Sequence, residues 1–185
     1  MPIVESWNAE KEAIFKAAQL MLVSARTAPK TGGIDDVLTA IVYGKEKEDL
    51  ALEMEKIAEE RGISGFKRDA KNVKDSEVVV LVGVRGIKSF GLNCGGCGYQ
   101  TCKEFENAAK KTGQDFVGPN CIFKLLDLGI ALGSAVKTAS ILNIDNRIMY
   151  RVGVAAKRLN MLPEASIIMG IPLSAKGKSI YFDRK

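Results

Sequence analysis

Residues 77–84 read EVVVLVGV, and this run decides the fold because it predicts a central strand. A strand with one face in solvent alternates apolar and polar residues, whereas no polar residue follows Glu77 in this run. We therefore expect a strand from Glu77 to Val84 that is buried on both of its faces.

Two helices and a strand are predicted before this run. Apolar residues recur at helical spacing from about Ala9 to Arg26, and Pro29 ends that helix near Thr27. Residues 37–43, VLTAIVY, predict a strand, and residues 46–61 predict an amphipathic helix that Gly62 terminates. Residues 63–76 are interpreted as a basic, polar connection.

The second half of the chain is predicted to be largely helical. A long helix is expected from Cys121 to about Leu142, then a turn at residues 143–146 and a helix over residues 147–159. Residues 166–171, SIIMGI, predict a strand that Pro172 ends, and residues 179–182 predict a short one. This order of elements indicates the α+β class, with a small sheet flanked by long helices.

Composition excludes several classes of protein. The 185 residues carry a net charge of +5 and no apolar stretch near the roughly 20 residues that a bilayer span needs, so no membrane association is predicted. The densest basic patch, near Lys67 and Arg68, has no interleaved aromatic residues, so no nucleic-acid binding is predicted. The charged, amphipathic start differs from a signal peptide and predicts a cytoplasmic protein with reduced thiols.

The chemical signal of the sequence is a cluster of cysteines. Cys94, Cys97, Cys102 and Cys121 follow the spacing C-x2-C-x4-C-x18-C, and the chain has no other cysteine and no histidine. Four thiolates complete one tetrahedral metal site or hold one cubane cluster, so the count predicts a single all-sulfur centre.

Three uses of these thiols compete: an iron–sulfur cluster, structural zinc and disulfides. A cytosolic location disfavours disulfides. Zinc ribbons pair two C-x2-C turns, and here only Cys94 and Cys97 form one. Glycines around these two cysteines suit a loop that wraps closely around an inorganic core. The sequence therefore favours the cluster and leaves zinc as the alternative.

Two helix starts are predicted to face this centre. Thr101 and Glu104 make a capping box, which places Cys102 in the first turn of a helix running to about Lys111. Asn120 is predicted to cap the long helix that begins at Cys121. The positive ends of both helices would suit an anionic cluster. The neighbouring lysines are interpreted as a solvated helix face: Lys103, Lys110, Lys111 and Lys124.

The segment from Cys94 to Cys121 resembles the small four-iron–four-sulfur domain of electron-transfer subunits and corrinoid iron–sulfur proteins. The C-G-x-C-G-x-x-x-C core is present, as is a final cysteine some eighteen residues on. In that domain a proline often follows the final cysteine, whereas Pro119 precedes it here. The resemblance implies a [4Fe–4S] cluster on the four cysteines.

Most of the chain resembles the flavin-dependent nitroreductases through short matches in the same order. Residues 25–30, ARTAPK, resemble the A-x-x-A-P-S segment, residues 127–142 the central helix, and residues 168–172, IMGIP, the late I-G-x-P strand. The whole chain also resembles a family of ferredoxin-domain-containing proteins from anaerobic microbes. These resemblances imply one nitroreductase-like domain over residues 1–185, a small mixed sheet, and an iron–sulfur insertion at residues 88–122.

In nitroreductases FMN lies at a dimer interface, with basic residues on its phosphate. The resemblance implies that Arg26 or Lys30 holds the phosphate from the front, and Lys176 or Lys178 from the C-terminal side. The chain departs from the family because it lacks the R-R-S-x-R segment and has Lys30 in place of the A-P-S serine.

Two redox functions follow, with structural zinc as a third alternative. The first is an FMN-dependent iron–sulfur oxidoreductase, in which the cluster relays electrons to a flavin or a small substrate. The second is a flavin-free electron carrier or redox sensor. A homodimer and a redox partner protein are expected in either case, and no catalytic acid or base can be named.

Overall fold

The structure is a computed structural model and describes residues 3–182. The helices in this range are α1 (Ser6–Thr27), α2 (Gly44–Arg61), α3 (Ser64–Lys74), α4 (Cys102–Asn107), α5 (Ile122–Ile141) and α6 (Tyr150–Arg158). The strands are β1 (Val37–Val42), β2 (Val78–Val84), β3 (Lys111–Thr112), β4 (Val117–Gly118), β5 (Asp145–Asn146) and β6 (Ile167–Ser174). The predicted α+β class is confirmed.

The main sheet has the strand order β1-β2-β6-β5, and β3 pairs with β4 in a separate hairpin. Every strand pairing in the described range is antiparallel, so the expected mixed sheet is replaced by an antiparallel one. The predicted strand at residues 77–84 is β2, which pairs on both edges and is buried along its whole length.

Helices cover both faces of this sheet. Successive side chains of a strand point to opposite faces, and β2 divides its residues accordingly. Val80 and Val82 pack with α1 and α5, whereas Val79 and Leu81 pack with α2, α3 and α6. The continuous apolar run is therefore explained by two separate cores. None of the helices within residues 3–182 combines the length and the apolar character of a membrane span.

The interpretation of residues 63–76 as a connection without a helix was wrong, because α3 occupies most of this range. Phe66, Ala70 and Val73 form its narrow buried stripe. Asp69 is also buried and lies 2.9 Å from the guanidinium of Arg151 in α6. Basic residues interrupt the apolar spacing of this helix, and one residue of its inner face forms an ion pair with a residue that is distant in the sequence. The periodicity of apolar residues therefore does not reveal the helix.

Pro172 does not end the last strand, since β6 continues to Ser174. Gly170 exchanges two backbone hydrogen bonds with Met149, on the side of β6 that faces β5. Pro172 is two residues further and so faces the same side. Its missing N–H therefore costs no hydrogen bond to β2, and the strand tolerates the proline.

The short strand predicted at residues 179–182 is absent from the described structure. Tyr181 instead enters the core beside α2 and α3, where it is 2% exposed, and its hydroxyl lies 2.8 Å from Ser76 Oγ. The helix predicted at residues 147–159 begins only at Tyr150, and the turn predicted at residues 143–146 contains β5.

The buried Tyr181 predicts a loss of stability at high pH. Burial raises the pKa of Tyr181 to about 12, against the partial opposition of hydrogen bonds with Ser174 and Ser76. An unfolded tyrosine ionises near pH 10, so the stability that Tyr181 provides is complete below about pH 10 and falls as the pH rises toward 12. Chemical unfolding at about pH 9 and about pH 11 should show a larger loss of stability for the wild type than for Y181F. Equal losses in both proteins would contradict this prediction.

Candidate metal centre

The four cysteines lie between β2 and the start of α5. Cys94 is exposed, Cys97 and Cys102 are half-buried, and Cys121 is buried. All four are free thiols with no disulfide among them. The side chains therefore range from the solvent-facing loop to the edge of the core.

Asn93 ties the first part of the loop to Cys102. Its side-chain Oδ1 accepts a hydrogen bond of 2.8 Å from the Cys102 amide, and its own N–H donates to Cys102 Sγ over 3.4 Å. Asn93 has a φ of 50°, a left-handed conformation that asparagine adopts more readily than most residues. This double contact places Cys102 beside the residue that precedes Cys94, and it supplies a sulfur with an N–H donor of the kind that tunes iron–sulfur centres.

The turn that contains Cys97 depends on its glycines. Gly95 and Gly98 have φ values of 71° and 88°, and the Gly98 amide donates to the Gly95 carbonyl over 2.9 Å. A Cβ on Gly96 would lie 2.8 Å from Ile122 Cγ2 and 3.6 Å from Cys94 Sγ. The turn therefore packs against the first residue of α5, next to Cys121.

Cys121 is fixed by a buried polar network. Its amide donates to the Gly86 carbonyl over 2.7 Å, while the Gly86 amide donates to Ser166 Oγ over 2.9 Å. Asn120 Oδ1 accepts from Ser166 Oγ over 2.6 Å, and Asn120 Nδ2 donates to the Val117 carbonyl. The prediction that Asn120 caps the long helix was wrong, because Cys121 itself is the N-cap residue and Asn120 points to this network.

The predicted helix start at Cys102 is confirmed, but the helix is shorter than expected. Thr101 Oγ1 accepts from the Glu104 amide, as the capping box requires, whereas Glu104 Oε2 accepts from the Gln100 amide. The helix ends at Asn107 and not near Lys111, since Lys111 belongs to β3.

Lys124 was expected on a solvated face, and this expectation was wrong. Its side chain is 1% exposed, with Nζ 2.8 Å from Asp36 Oδ2 and 5.7 Å from the centre of the Phe90 ring. This burial could not be predicted from the local sequence, because the partner of Lys124, Asp36, lies in another part of the chain. Gly86 and Ser166 were missed for the same reason.

Four free thiols between β2 and the start of α5 are a donor set whose chemistry suits an all-sulfur centre. Within residues 3–182, no three cysteine, aspartate or glutamate side chains already converge closely enough to hold a metal ion. Binding would therefore require the thiols to close on a common centre. Gly95 and Gly98 let the turn adopt backbone conformations that other residues rarely take.

The two basic residues assigned to a flavin phosphate lie together but have other partners. Lys30 Nζ donates to the carbonyls of Ala25 and Arg26, and its side chain is 5% exposed. Arg26 donates to Asp35 and to the Val37 carbonyl. Burial raises the pKa of Asp35, but hydrogen bonds from Arg26 and the Val37 amide outweigh it and hold that pKa below its ordinary value.

The two C-terminal candidates, Lys176 and Lys178, also have partners. Lys176 Nζ donates to the Asp75 carbonyl over 2.6 Å. A phosphate at Lys176, Arg26 or Lys30 would have to replace a contact that already exists. The assignment of these residues to a flavin thus stays a prediction.

Comparison with known proteins gives two independent likenesses. A family model described as "uncharacterized protein containing a ferredoxin domain" matches residues 117–184, which include Cys121. A protein of Archaeoglobus fulgidus, described only as an uncharacterized protein, is 51% identical over 175 residues, with 95% of this chain and 94% of that protein covered.

Solved nitroreductases share the fold. The FMN-dependent nitroreductase of Mycobacterium smegmatis in complex with NADPH has a TM-score of 0.58 and 10% identity, covering 88% of this chain and 78% of that chain. The nitroreductase of Lactococcus lactis in complex with nicotinic acid has a TM-score of 0.57 and 13% identity, covering 96% and 95%. These likenesses confirm the predicted nitroreductase-like fold, and at such low identity they carry the fold alone.

Proposed function

Because this chain belongs to the family described as uncharacterized proteins containing a ferredoxin domain, we propose that it is an iron–sulfur redox protein. The ferredoxin-domain family and the nitroreductase-like fold both support a redox or electron-transfer role. In the finer proposal, Cys94, Cys97, Cys102 and Cys121 hold a [4Fe–4S] cluster that relays electrons to a flavin or a small substrate.

The observation that carries this proposal is the set of four free thiols between β2 and the start of α5, with no histidine in the chain. The cluster, when bound, supplies one-electron chemistry. Gly86 and Ser166 fix the backbone at Cys121, and Asn93 holds Cys102 with an N–H on its sulfur. The exposure of Cys94 gives a partner direct access to this edge of the protein.

A flavin-free carrier or redox sensor is the second candidate, and one observation favours it. Arg26 and Lys30 already bond to Asp35 and to the end of α1, so neither is preorganised for a phosphate. Three exposed lysines near the cysteines, Lys88, Lys103 and Lys111, suit an acidic redox partner protein. We place either function in the cytoplasm, where thiols stay reduced.

The deciding experiment is an absorption spectrum of protein isolated without oxygen, before and after incubation with FMN and gel filtration. A broad absorption band at roughly 400 nm that bleaches with dithionite indicates the thiolate-bound cluster. Retained flavin bands would support the oxidoreductase, and their loss on the column would support the carrier. A colourless protein would contradict both functions and favour structural zinc.

We also propose a homodimer through the outer face of α5. Leu126, Ile130 and Ile141 are 50%, 45% and 68% exposed along this helix, and exposed apolar residues that share one face are a feature of protein interfaces. We expect the wild type to be a dimer by light scattering and the double variant L126E/I130E to be a monomer, because paired carboxylates cannot be buried there. The variant L52E changes a similarly exposed leucine on α2 and should remain dimeric. A monomeric wild type would contradict the proposal.

A further inference from the structure

A buried lysine lies one turn along α5 from Cys121. Lys124 is in the first turn of α5, three residues after Cys121, and its ammonium is enclosed between Asp36 and the ring of Phe90. Phe90 begins the loop that leads to Cys94, and its ring also approaches that of Phe123 at 6.4 Å. The cation thus sits between the two ends of the cysteine segment.

This lysine is incompletely neutralised. Its contact with Asp36 is an ion pair that lacks hydrogen-bond geometry, so the buried ammonium is left without a hydrogen-bond acceptor. Asp36 is also shared with Arg85 at 4.0 Å and Lys88 at 3.8 Å. Arg85 in turn binds Glu164. Asp36 therefore serves three cations at once, and Lys124 is the most deeply buried of them.

A buried ammonium without a hydrogen-bond acceptor is costly in the interior of a protein unless anions lie nearby. Besides Asp36, the buried carboxylate of Asp127 lies one turn further along α5, where it accepts hydrogen bonds from Thr31. The cysteine segment is joined to the same group of charges, because the Cys121 amide bonds to the carbonyl of Gly86, the residue that follows Arg85. A cubane bound by four thiolates is anionic, and it becomes more anionic when it accepts an electron. A fixed cation beside it therefore stabilises the reduced form.

We propose that Lys124 is a positioning residue for electron transfer, in that its buried charge raises the reduction potential of the cluster, while Asp36 lowers it. This inference rests on the proposed function. Under this proposal, the two members of one ion pair change the reduction potential in opposite directions. A purely structural ion pair would not do this, since loss of either partner would disturb the loop in the same direction.

The test is an anaerobic redox titration with mediator dyes of the wild type, K124M, D36N and K137M, after equal iron and sulfide content has been checked. K124M should titrate at a lower reduction potential than the wild type. At a fixed potential, the ratio of reduced to oxidised cluster should fall on the order of tenfold, which corresponds to a shift of about 59 mV for one electron. D36N, which is nearly isosteric, should shift the potential upward. K137M makes the same change at an exposed position on α5 and should leave it unmoved.

The outcomes separate the inference from the function on which it rests. A wild type without iron would overturn the proposed function itself. An iron-loaded wild type whose potential is unmoved, or moved in the same direction, by K124M and D36N would overturn the inference alone. If K124M fails to fold, the direction in which D36N shifts the reduction potential still tests the inference.

Discussion

Replacing Cys121 with alanine is expected to reduce the iron content of the protein from about four atoms per chain to less than one. The chain has no spare cysteine or histidine to take its place. Cys121 is also the only buried thiol of the four, held by the Gly86 carbonyl at the start of α5. Iron and acid-labile sulfide, assayed after anaerobic reconstitution, measure the loss.

The matched control for this variant is T101A. It removes the cap of α4 next to Cys102, at a cost of about 1 kcal/mol, and leaves all four thiols. We expect T101A to retain iron close to the wild-type level. Wild-type iron in C121A, or equal losses in both variants, would show that Cys121 is not a ligand.

The largest effect on stability is expected from Gly153→Ala in α6. A Cβ at this position would lie 1.7 Å from the Ile168 carbonyl oxygen and 3.0 Å from Met169 Cα. Both contacts are with the backbone of β6, so no side-chain rotation relieves them. The added methyl group would have to push α6 away from β6, which disturbs the packing around both elements. We therefore expect the free energy of unfolding to fall by about 3 kcal/mol.

Gly133→Ala in α5 is the control for this change, because a Cβ there would meet nothing within 4 Å. Alanine favours a helix over glycine, so this variant should gain about 0.5–1 kcal/mol. Urea unfolding followed by circular dichroism compares the two variants with the wild type. A Gly153→Ala protein as stable as the wild type would contradict the close packing of α6 on β6.

Local patterns in the sequence predicted the elements whose buried positions are occupied by apolar residues at regular spacing. The run at Glu77 to Val84, the stripe of α1 and the stripe of α2 each lie where the periodicity placed them. The prediction failed where long-range contacts override local pattern. Asp69 on the inner face of α3 pairs with Arg151, which is distant in the sequence. Tyr181 lies in the core, although its neighbours in the sequence predict a strand.

The sequence shows which side chains the candidate site offers as ligands, but it does not show which other residues pack around them. The spacing of Cys94 to Cys121 indicates an all-sulfur centre without any knowledge of the fold. The residues that support the backbone at Cys121 and the side chain of Lys124 are Gly86, Ser166 and Asp36, which lie at the ends of β2, β6 and β1. A single sequence cannot show that they meet, and the burial of Lys124 follows only from their meeting.

The most direct test of the account is the content of iron, acid-labile sulfide and zinc per chain in protein produced and isolated without oxygen. The account predicts about four iron and four sulfide per chain and little zinc. About one zinc per chain without iron would contradict it, and the four cysteines would then stabilise the fold as a structural site.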